Sequence, residues 1–173
     1  MENNAEITNE NFALENKVLL DITANFPQAD AENAVILARR IYIDLPADIF
    51  ISALQHIRDR LGFTHLVTIT GMDTGSSFEF IYHVARHDGL LLNLKYQVPR
   101  EDPVTIPSVL KIYEGATFYE LELEGLLGVK VEGLPEGRQY PLPDNWPKGE
   151  YPLRKDWIPA TKIEANTESN TGE

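Results

Sequence analysis

The sequence predicts an α+β fold, with helices packed on a mixed β-sheet and an extended proline-rich tail at the C-terminus. Apolar residues recur at helical intervals in two segments before residue 62, and alternating runs typical of strands follow up to residue 98. Beyond residue 134 proline and glycine dominate. Because 173 residues suit one domain, residues 11–133 are predicted to form that domain and residues 134–159 the tail.

Both ends of the chain differ from this middle part. Residues 1–10 and 160–173 are polar and nearly free of large apolar side chains. Such segments bury too little apolar surface to offset the entropy lost on ordering. We therefore predict a disordered N-terminus and a disordered acidic C-terminus.

Two helices and one strand are predicted in the first third of the chain. Residues 11–25 have apolar side chains near helical spacing and end before Pro27. The apolar, β-branched run at residues 34–45 predicts a single strand closed by Pro46. Pro46 then opens a strongly periodic helix that Gly62 ends.

Three strands and two short helices are predicted next. The alternating runs predict strands at residues 64–70, 78–86 and 90–98. Asp88–Gly89 separates the last two, and both residues tolerate the positive φ of a hairpin turn. A short helix is predicted over residues 106–113, beginning at Pro107, and another over residues 116–127, stopped by Gly128.

The tail combines six prolines with large apolar side chains. Because proline cannot donate a hydrogen bond to a sheet, a segment so rich in it cannot form a central strand. The tail nevertheless contains aromatic residues that a linker would not need: Tyr140, Trp146, Tyr151 and Trp157. We expect these side chains to pack either on the chain's own domain or on another protein.

Composition excludes several classes of function. The formal net charge is −12 and the basic residues are scattered, which argues against nucleic-acid binding. An acidic surface also disfavours direct contact with anionic lipid headgroups. The absence of cysteine excludes an iron–sulfur cluster held by this chain's thiolates. No apolar run approaches the roughly 18 residues typical of a membrane span, and the acidic N-terminus does not resemble a signal peptide, so we expect a cytoplasmic location.

Asp73–Thr74–Gly75 is the most specific local motif. Aspartic proteases carry this string, in which one Asp of a carboxylate pair activates water. The chain has one copy, so such an enzyme would have to be a homodimer; otherwise the string is a loop between two strands. No phosphate-binding glycine loop, nucleophile elbow or zinc-ligand spacing occurs. No catalytic, cofactor-binding or metal-binding residue is therefore predicted.

A succession of short motifs resembles one known family. It includes residues 68–73 and then Gly115–Ala116–Thr117–Phe118–Tyr119–Glu120–Leu121–Glu122, Leu142–Pro143–Asp144–Asn145–Trp146 and Tyr151–Pro152–Leu153–Arg154–Lys155–Asp156. The succession resembles the 30 kDa subunit family of respiratory complex I, the C subunit in bacteria. It also resembles the related small subunit of energy-converting, membrane-bound nickel–iron hydrogenases. Leu121, Gly125 and Leu127 stand where complex I members typically have an arginine, an acid and an aromatic, which favours the hydrogenase branch.

The resemblance implies a subunit without chemistry of its own. Family members bind no cofactor and clamp the large catalytic subunit beside the iron–sulfur subunit in the peripheral arm. Iron–sulfur clusters and a nickel–iron or quinone site are accordingly expected on partner subunits. We expect a structural subunit of a membrane-bound, ion-pumping complex, peripheral on the inner face of the cell membrane and contacting membrane subunits only indirectly. The alternative is the C subunit of an NADH- or ferredoxin:quinone oxidoreductase.

The resemblance also implies which residues dock on the partner. They are Tyr119, Glu120, Glu122, Tyr140, Trp146, Tyr151, Pro152, Leu153, Arg154, Lys155, Asp156 and Trp157. The aromatic residues would bury apolar surface, while Arg154 and Asp156 would fix the register through charge-assisted hydrogen bonds. On this view Arg154→Ala weakens assembly and leaves the melting temperature nearly unchanged. If the segment instead folds back on its own sheet, the melting temperature falls.

Overall fold

A five-stranded mixed sheet is the centre of the fold, and the computed structural model describes residues 12–135 and 140–159. The helices are α1 (Ala13–Asn25), α2 (Phe50–Asp59) and α3 (Thr117–Leu127). The strands are β1 (Asp30–Leu37), β2 (Arg40–Asp44), β3 (His65–Asp73), β4 (Ser77–Ala85), β5 (Leu91–Pro99), β6 (Thr105–Pro107) and β7 (Lys130–Glu132). The predicted α+β class is confirmed. The ends predicted to be disordered lie outside the described residues.

The sheet has the strand order β1-β2-β5-β4-β3. Strands β2 and β5 pair in parallel, and the other neighbours pair antiparallel. The parallel pair arises because α2, β3 and β4 intervene between β2 and β5 in the chain. Strands β6 and β7 form a separate parallel pair.

Helix α2 covers one face of the sheet. Its Phe50 ring lies 4.7 Å from the rings of both Tyr82 and Tyr96, on neighbouring strands. Helix α1 lies alongside α2, where the rings of Phe26 and His56 meet edge to face at 5.5 Å. Side chains at alternating positions of β4 and β5 are buried on this face, as period-two patterning requires.

Helix α3 packs on the same face at the β3 edge, and Gly71 makes this approach possible. A Cβ atom at Gly71 would lie 2.5 Å from Leu123 and 2.7 Å from Leu127, both buried residues of α3. Gly71 pairs with Phe80 across the sheet, so the helix seals the same core. Any larger residue at position 71 would push α3 away.

The single strand predicted at residues 34–45 is wrong, because that segment is a hairpin. Val35 in β1 pairs with Tyr42 in β2, and the turn between the strands contains Arg39 at φ 58°. The Arg39 N–H donates a 2.7 Å hydrogen bond to the buried carboxylate of Glu15 on α1. A contact 24 residues away thus supports a turn that has no glycine or proline.

The short helix predicted at residues 106–113 is also wrong. Strand β6 ends there at Pro107, with Ile106 opposite Val131 of β7 and the Ser108 N–H donating to the Glu132 carbonyl at 2.9 Å. Residues 108–113 contain a turn and no helix. Pairing with a distant strand outweighs the local preference for a helix after Pro107. The helix predicted at 116–127 is confirmed as α3.

The part of the tail that the structure describes, residues 140–159, forms turns without a helix or strand. Residues 136–139 lie outside the description, so a continuous extended tail from residue 134 stays a prediction. Within the described ranges, no helix is both long and apolar enough to cross a membrane.

Candidate protein-docking site

Residues 151–157, here called the C-terminal segment, are fastened to the domain at two places. The Leu153 N–H donates to the carbonyl of Leu126 in the last turn of α3 at 3.0 Å. The Lys155 N–H donates to the carboxylate of Asp73 at 2.9 Å, and Lys155 Nζ donates to the Thr74 carbonyl at 2.9 Å. The segment therefore joins α3 to the loop between β3 and β4.

Asp73 is the buried centre of this attachment. Its side chain is fully buried, and its carboxylate accepts hydrogen bonds from the Gly75 N–H at 2.8 Å and the Lys155 N–H at 2.9 Å. Arg100 Nη1 lies 2.9 Å from the same carboxylate. Both oxygens are engaged and shielded from solvent, so the geometry does not suit the water activation that the protease alternative requires.

Arg100 links Asp73 to the end of the C-terminal segment. Its Nη2 donates to both carboxylate oxygens of Asp156, at 2.6 and 2.7 Å. Its guanidinium also lies over the Phe78 ring, 5.7 Å from the centroid. The hydrogen bond from Arg100 lowers the pKa of Asp156 below its ordinary value.

Arg154 makes a second ion pair, also close to the Phe78 ring. Its two terminal nitrogens donate to Asp102 at 2.7 and 2.9 Å, in the bidentate geometry that favours arginine. The hydrogen bond from Arg154 lowers the pKa of Asp102. Arg154 also donates through Nε to the carbonyl of Leu127 at 2.6 Å, which satisfies an acceptor at the C-terminal end of α3.

The Arg154 guanidinium is held between two aromatic rings. Its central carbon lies 4.7 Å from the Tyr151 ring centroid and 5.5 Å from that of Phe78. The Tyr151 ring packs against Gly128, whose φ of 69° ends α3 and where a Cβ atom would overlap the ring. We call the five charged residues Asp73, Arg100, Asp102, Arg154 and Asp156 the ion-pair clasp.

The predicted docking residues of the C-terminal segment thus have intramolecular contacts. Arg154, Asp156 and Lys155 bind groups of their own domain, and Tyr151 and Pro152 are half-buried. Leu153 is different, since 52% of it is exposed. Folding back of the segment, one of the two options that the sequence left open, accounts for the charged groups. Docking through the exposed residues stays a prediction.

Trp146 and Trp157 form a small cluster around Glu150. Their rings lie 5.9 Å apart. The Trp146 indole N–H donates to the Glu150 carbonyl at 2.9 Å, and that of Trp157 to the Glu150 carboxylate at 3.2 Å. Both indoles are half-buried, and the neighbouring Ile158 is 58% exposed.

The predicted docking residues of α3 differ from one another in their surroundings. The Tyr119 hydroxyl donates to the Val67 carbonyl at 2.7 Å, and Glu122 is half-buried. Glu120 is fully buried: its carboxylate accepts from the Ser108 hydroxyl at 2.7 Å and the Val109 N–H at 2.6 Å. Glu120 therefore supports the loop after β6 and does not reach the surface of this chain.

Burial makes Glu120 a source of pH-dependent stability. Desolvation raises the pKa of Glu120, and the hydrogen bonds from Val109 and Ser108 only partly oppose it. Since the folded state then binds this proton more tightly than the unfolded state, stability is greatest below the unfolded pKa and falls as pH rises through the folded pKa.

Glu120→Gln is expected to remove that fall in stability, because glutamine is neutral at every pH. Urea unfolding of both proteins from mildly acidic to mildly alkaline pH should show the variant gaining stability relative to wild type as pH rises. Glu122→Gln, at a half-buried position of the same helix, is the control and should not change the slope. If Glu120→Gln leaves the dependence of the free energy of unfolding on pH as it is in the wild type, the raised pKa of Glu120 is contradicted.

The α+β fold of this chain is shared by a chain in a solved structure. A chain in the solved structure of the membrane-bound sulfane sulfur reductase (MBS), an archaeal respiratory membrane complex, superposes with a TM-score of 0.77. The match covers 90% of this chain and 92% of that one at 24% identity, so it shows a common fold.

Residues 43–162 match the family described as respiratory-chain NADH dehydrogenase, 30 Kd subunit. The chain belongs to this family, and the resemblance seen in the sequence is confirmed. The C subunit of the F(420)H(2) dehydrogenase of Methanosarcina mazei is 33% identical over 81% of this chain and 89% of the relative. The beta subunit of the membrane-bound hydrogenase of Pyrococcus furiosus is 26% identical over 68% of this chain and 69% of the relative. The C subunit of the NADH-quinone oxidoreductase of Moorella thermoacetica is 27% identical over 76% of this chain and 87% of the relative.

Sequence reasoning missed three residues of this site. Arg100 and Asp102 stand in a proline-punctuated loop with nothing to indicate their partners, which lie more than 50 positions later. Phe118 lies within a family motif but is absent from the predicted docking residues, yet it is 61% exposed on α3. No sequence signal placed Phe118 on the outer surface, because the burial of Glu120 two positions later is visible only in the folded structure.

Proposed function

We propose that this chain is a structural subunit of the peripheral arm of a membrane-bound, ion-pumping redox complex and that it docks on the large catalytic subunit. Membership of the 30 kDa subunit family supports the proposal. So do relatives that are themselves named as subunits of a dehydrogenase, an oxidoreductase and a membrane-bound hydrogenase. Iron–sulfur clusters and the nickel–iron or quinone site belong, in this proposal, to the partner subunits.

One observation carries the docking role. The ion-pair clasp uses the charges of the C-terminal segment internally, so the segment has a defined shape without a partner. Leu153 in this segment is nevertheless 52% exposed, and Ile158, directly after the segment, is 58% exposed. Large apolar side chains presented on a preorganised segment are suited to binding another protein, because less entropy is lost on association.

The kind of complex has two candidates. A hydrogenase-like complex is the first, supported by the similarity to the beta subunit of the membrane-bound hydrogenase and by Leu121, Gly125 and Leu127 in α3. A quinone- or cofactor-linked dehydrogenase is the second, and the higher identity to the C subunit of the F(420)H(2) dehydrogenase favours it.

Affinity purification of the tagged full-length chain from gently solubilised native membranes tests the proposal. We expect a large catalytic subunit, an iron–sulfur subunit and membrane subunits to be recovered and identified by mass spectrometry. Nickel in the purified complex would assign it to the hydrogenase class, and quinone or cofactor reduction without nickel to the dehydrogenase class.

Leu153→Asp tests docking through the C-terminal segment. We expect recovery of the large subunit to fall at least about tenfold, since a carboxylate would have to be desolvated at the interface. Leu20→Asp is the matched control, because Leu20 is 69% exposed on α1. If both variants recover the same amount of the large subunit, the C-terminal segment is not part of the interface. If the wild-type chain is recovered without any partner subunit, the proposed function is overturned.

A further inference from the structure

Helix α3 exposes a large apolar side chain and buries a charged one, the reverse of the usual arrangement at a protein surface. Phe118 is 61% exposed, while Glu120, two positions later, is fully buried. On the inner side, Leu123 and Leu127 pack against β3. The helix is thus apolar towards the sheet and also presents its largest apolar ring to the outside. A ring held outward on a rigid helix is suited to contact another surface.

The surroundings of Phe118 form a defined surface. Phe118 and Glu122 are four residues apart on α3 and so lie on one side of the helix, while Glu114 lies in the 3-10 turn that precedes it. The Tyr140 ring packs beside Phe118, with ring centroids 5.3 Å apart and an interplanar angle of 60°. We call these four residues the α3 surface.

Tyr140 is held in place by the backbone of α3. Its carbonyl lies so close to Gly125 that a Cβ atom there would overlap it. Gly125 therefore lets residue 140 cross the helix and bring its ring to Phe118. The apolar part of the α3 surface is a two-ring patch built by the fold.

The charges on the α3 surface are unbalanced. Within the described residues, the carboxylates of Glu114 and Glu122 form no ion pair or hydrogen bond, in contrast to Glu120 and Glu124, which bind backbone N–H groups. One uncompensated carboxylate thus stands four residues before Phe118 and another four residues after it. The complementary surface is an apolar pocket with lysine or arginine side chains on its rim.

We propose that the α3 surface is a second docking site for the large catalytic subunit, whose surface supplies a pocket for Phe118 flanked by basic side chains. The inference rests on the proposed function and adds a contact that the C-terminal segment does not make. A second copy of this chain does not fit, because it would bring the same carboxylates and a net charge of −12 against each other. Anionic lipid and nucleic acid are disfavoured by the same repulsion.

Site-specific photo-crosslinking tests this contact in the native complex. The tagged full-length chain carrying Phe118→p-benzoylphenylalanine is expressed in cells, irradiated and purified from membranes. We expect a crosslink to a peptide of the large subunit that contains lysine or arginine close to the crosslinked residue. Leu20→p-benzoylphenylalanine on α1 is the control and should give no crosslink to that subunit.

Two substitutions measure how much the α3 surface contributes to binding of the large subunit. Phe118→Ala is expected to lower recovery of the large subunit at least about tenfold, with the melting temperature of the isolated chain unchanged because the ring is mostly exposed. Glu122→Lys should lower recovery several-fold, and the loss should shrink at high salt, where charge interactions are screened. Glu32→Lys, at an exposed position of β1, is its matched control.

The outcomes separate this inference from the proposed function. If the large subunit is recovered with the wild-type chain but position 118 crosslinks to a second copy, to another subunit or to nothing, the α3 surface is not its docking site and the proposed function stands. If no large subunit is recovered with the wild-type chain, both fail.

Discussion

Asp73→Ala is expected to lower the free energy of unfolding by about 3–5 kcal/mol, the usual cost of removing one partner of a buried ion pair. The fully buried carboxylate of Asp73 binds Arg100 and accepts from the N–H groups of Gly75 and Lys155. Its loss would leave those donors unsatisfied and detach the C-terminal segment from the loop between β3 and β4. Urea unfolding of the isolated chain measures the effect.

Asp73→Asn separates charge from shape in this test. Asparagine keeps one acceptor oxygen but cannot pair with Arg100, so we expect a smaller but still large loss of stability. Asp59→Ala is the matched control, since Asp59 pairs with Arg58 on the surface of α2 and its removal should have little effect. A change at Asp73 as small as that at Asp59 would mean that the ion-pair clasp does not hold the fold together.

Arg154→Ala is expected to lower the free energy of unfolding by about 2–3 kcal/mol and the melting temperature by about 5–10 °C. The side chain is only 13% exposed. Truncation removes the bidentate contact with Asp102, the hydrogen bond to the Leu127 carbonyl and the packing between Tyr151 and Phe78. This expectation replaces the one drawn from the family resemblance, in which the melting temperature is nearly unchanged.

Arg154→Lys distinguishes geometry from charge at the same position. Lysine keeps the charge but lacks the planar fork and stacks less well on the two rings, so most of the stability should still be lost. Arg58→Ala is the control, because Arg58 is 41% exposed and, among the described residues, its ion pair is with its neighbour Asp59. An unchanged melting temperature together with weakened assembly would show that Arg154 acts mainly on the partner.

The local pattern of apolar residues was sufficient to predict a helix or strand where one periodicity continued over a long segment. Helix α2 and strands β3, β4 and β5 lie where the apolar spacing predicted them. The pattern failed where a distant group decided the backbone. The hairpin of β1 and β2 has its turn at Arg39, which Glu15 supports from α1. Strand β6 forms because β7 pairs with it, and neither segment is long enough to indicate a strand alone.

The predicted docking residues show the same difference between local pattern and distant contacts. The sequence indicated that residues 151–157 belong to a family motif, because their order of residue types is specific to a family. It could not indicate whether Arg154 and Asp156 face inward or outward. An arginine has the same sequence signal whether it binds Asp102 of its own chain or a carboxylate of another protein.

By itself, the sequence determined the α+β class, the family and the acidic character of the chain, because these depend on composition, periodicity and the order of residue types. Only the tertiary structure decided which charges are paired within the domain. Asp73 and Arg100 are 27 positions apart, and Arg100 and Asp156 are 56 positions apart. Ion pairing depends on distances of about 3 Å in space, and the folded sheet and α3 create those distances. The same packing turned Glu120 inward and Phe118 outward, which no period in the sequence required.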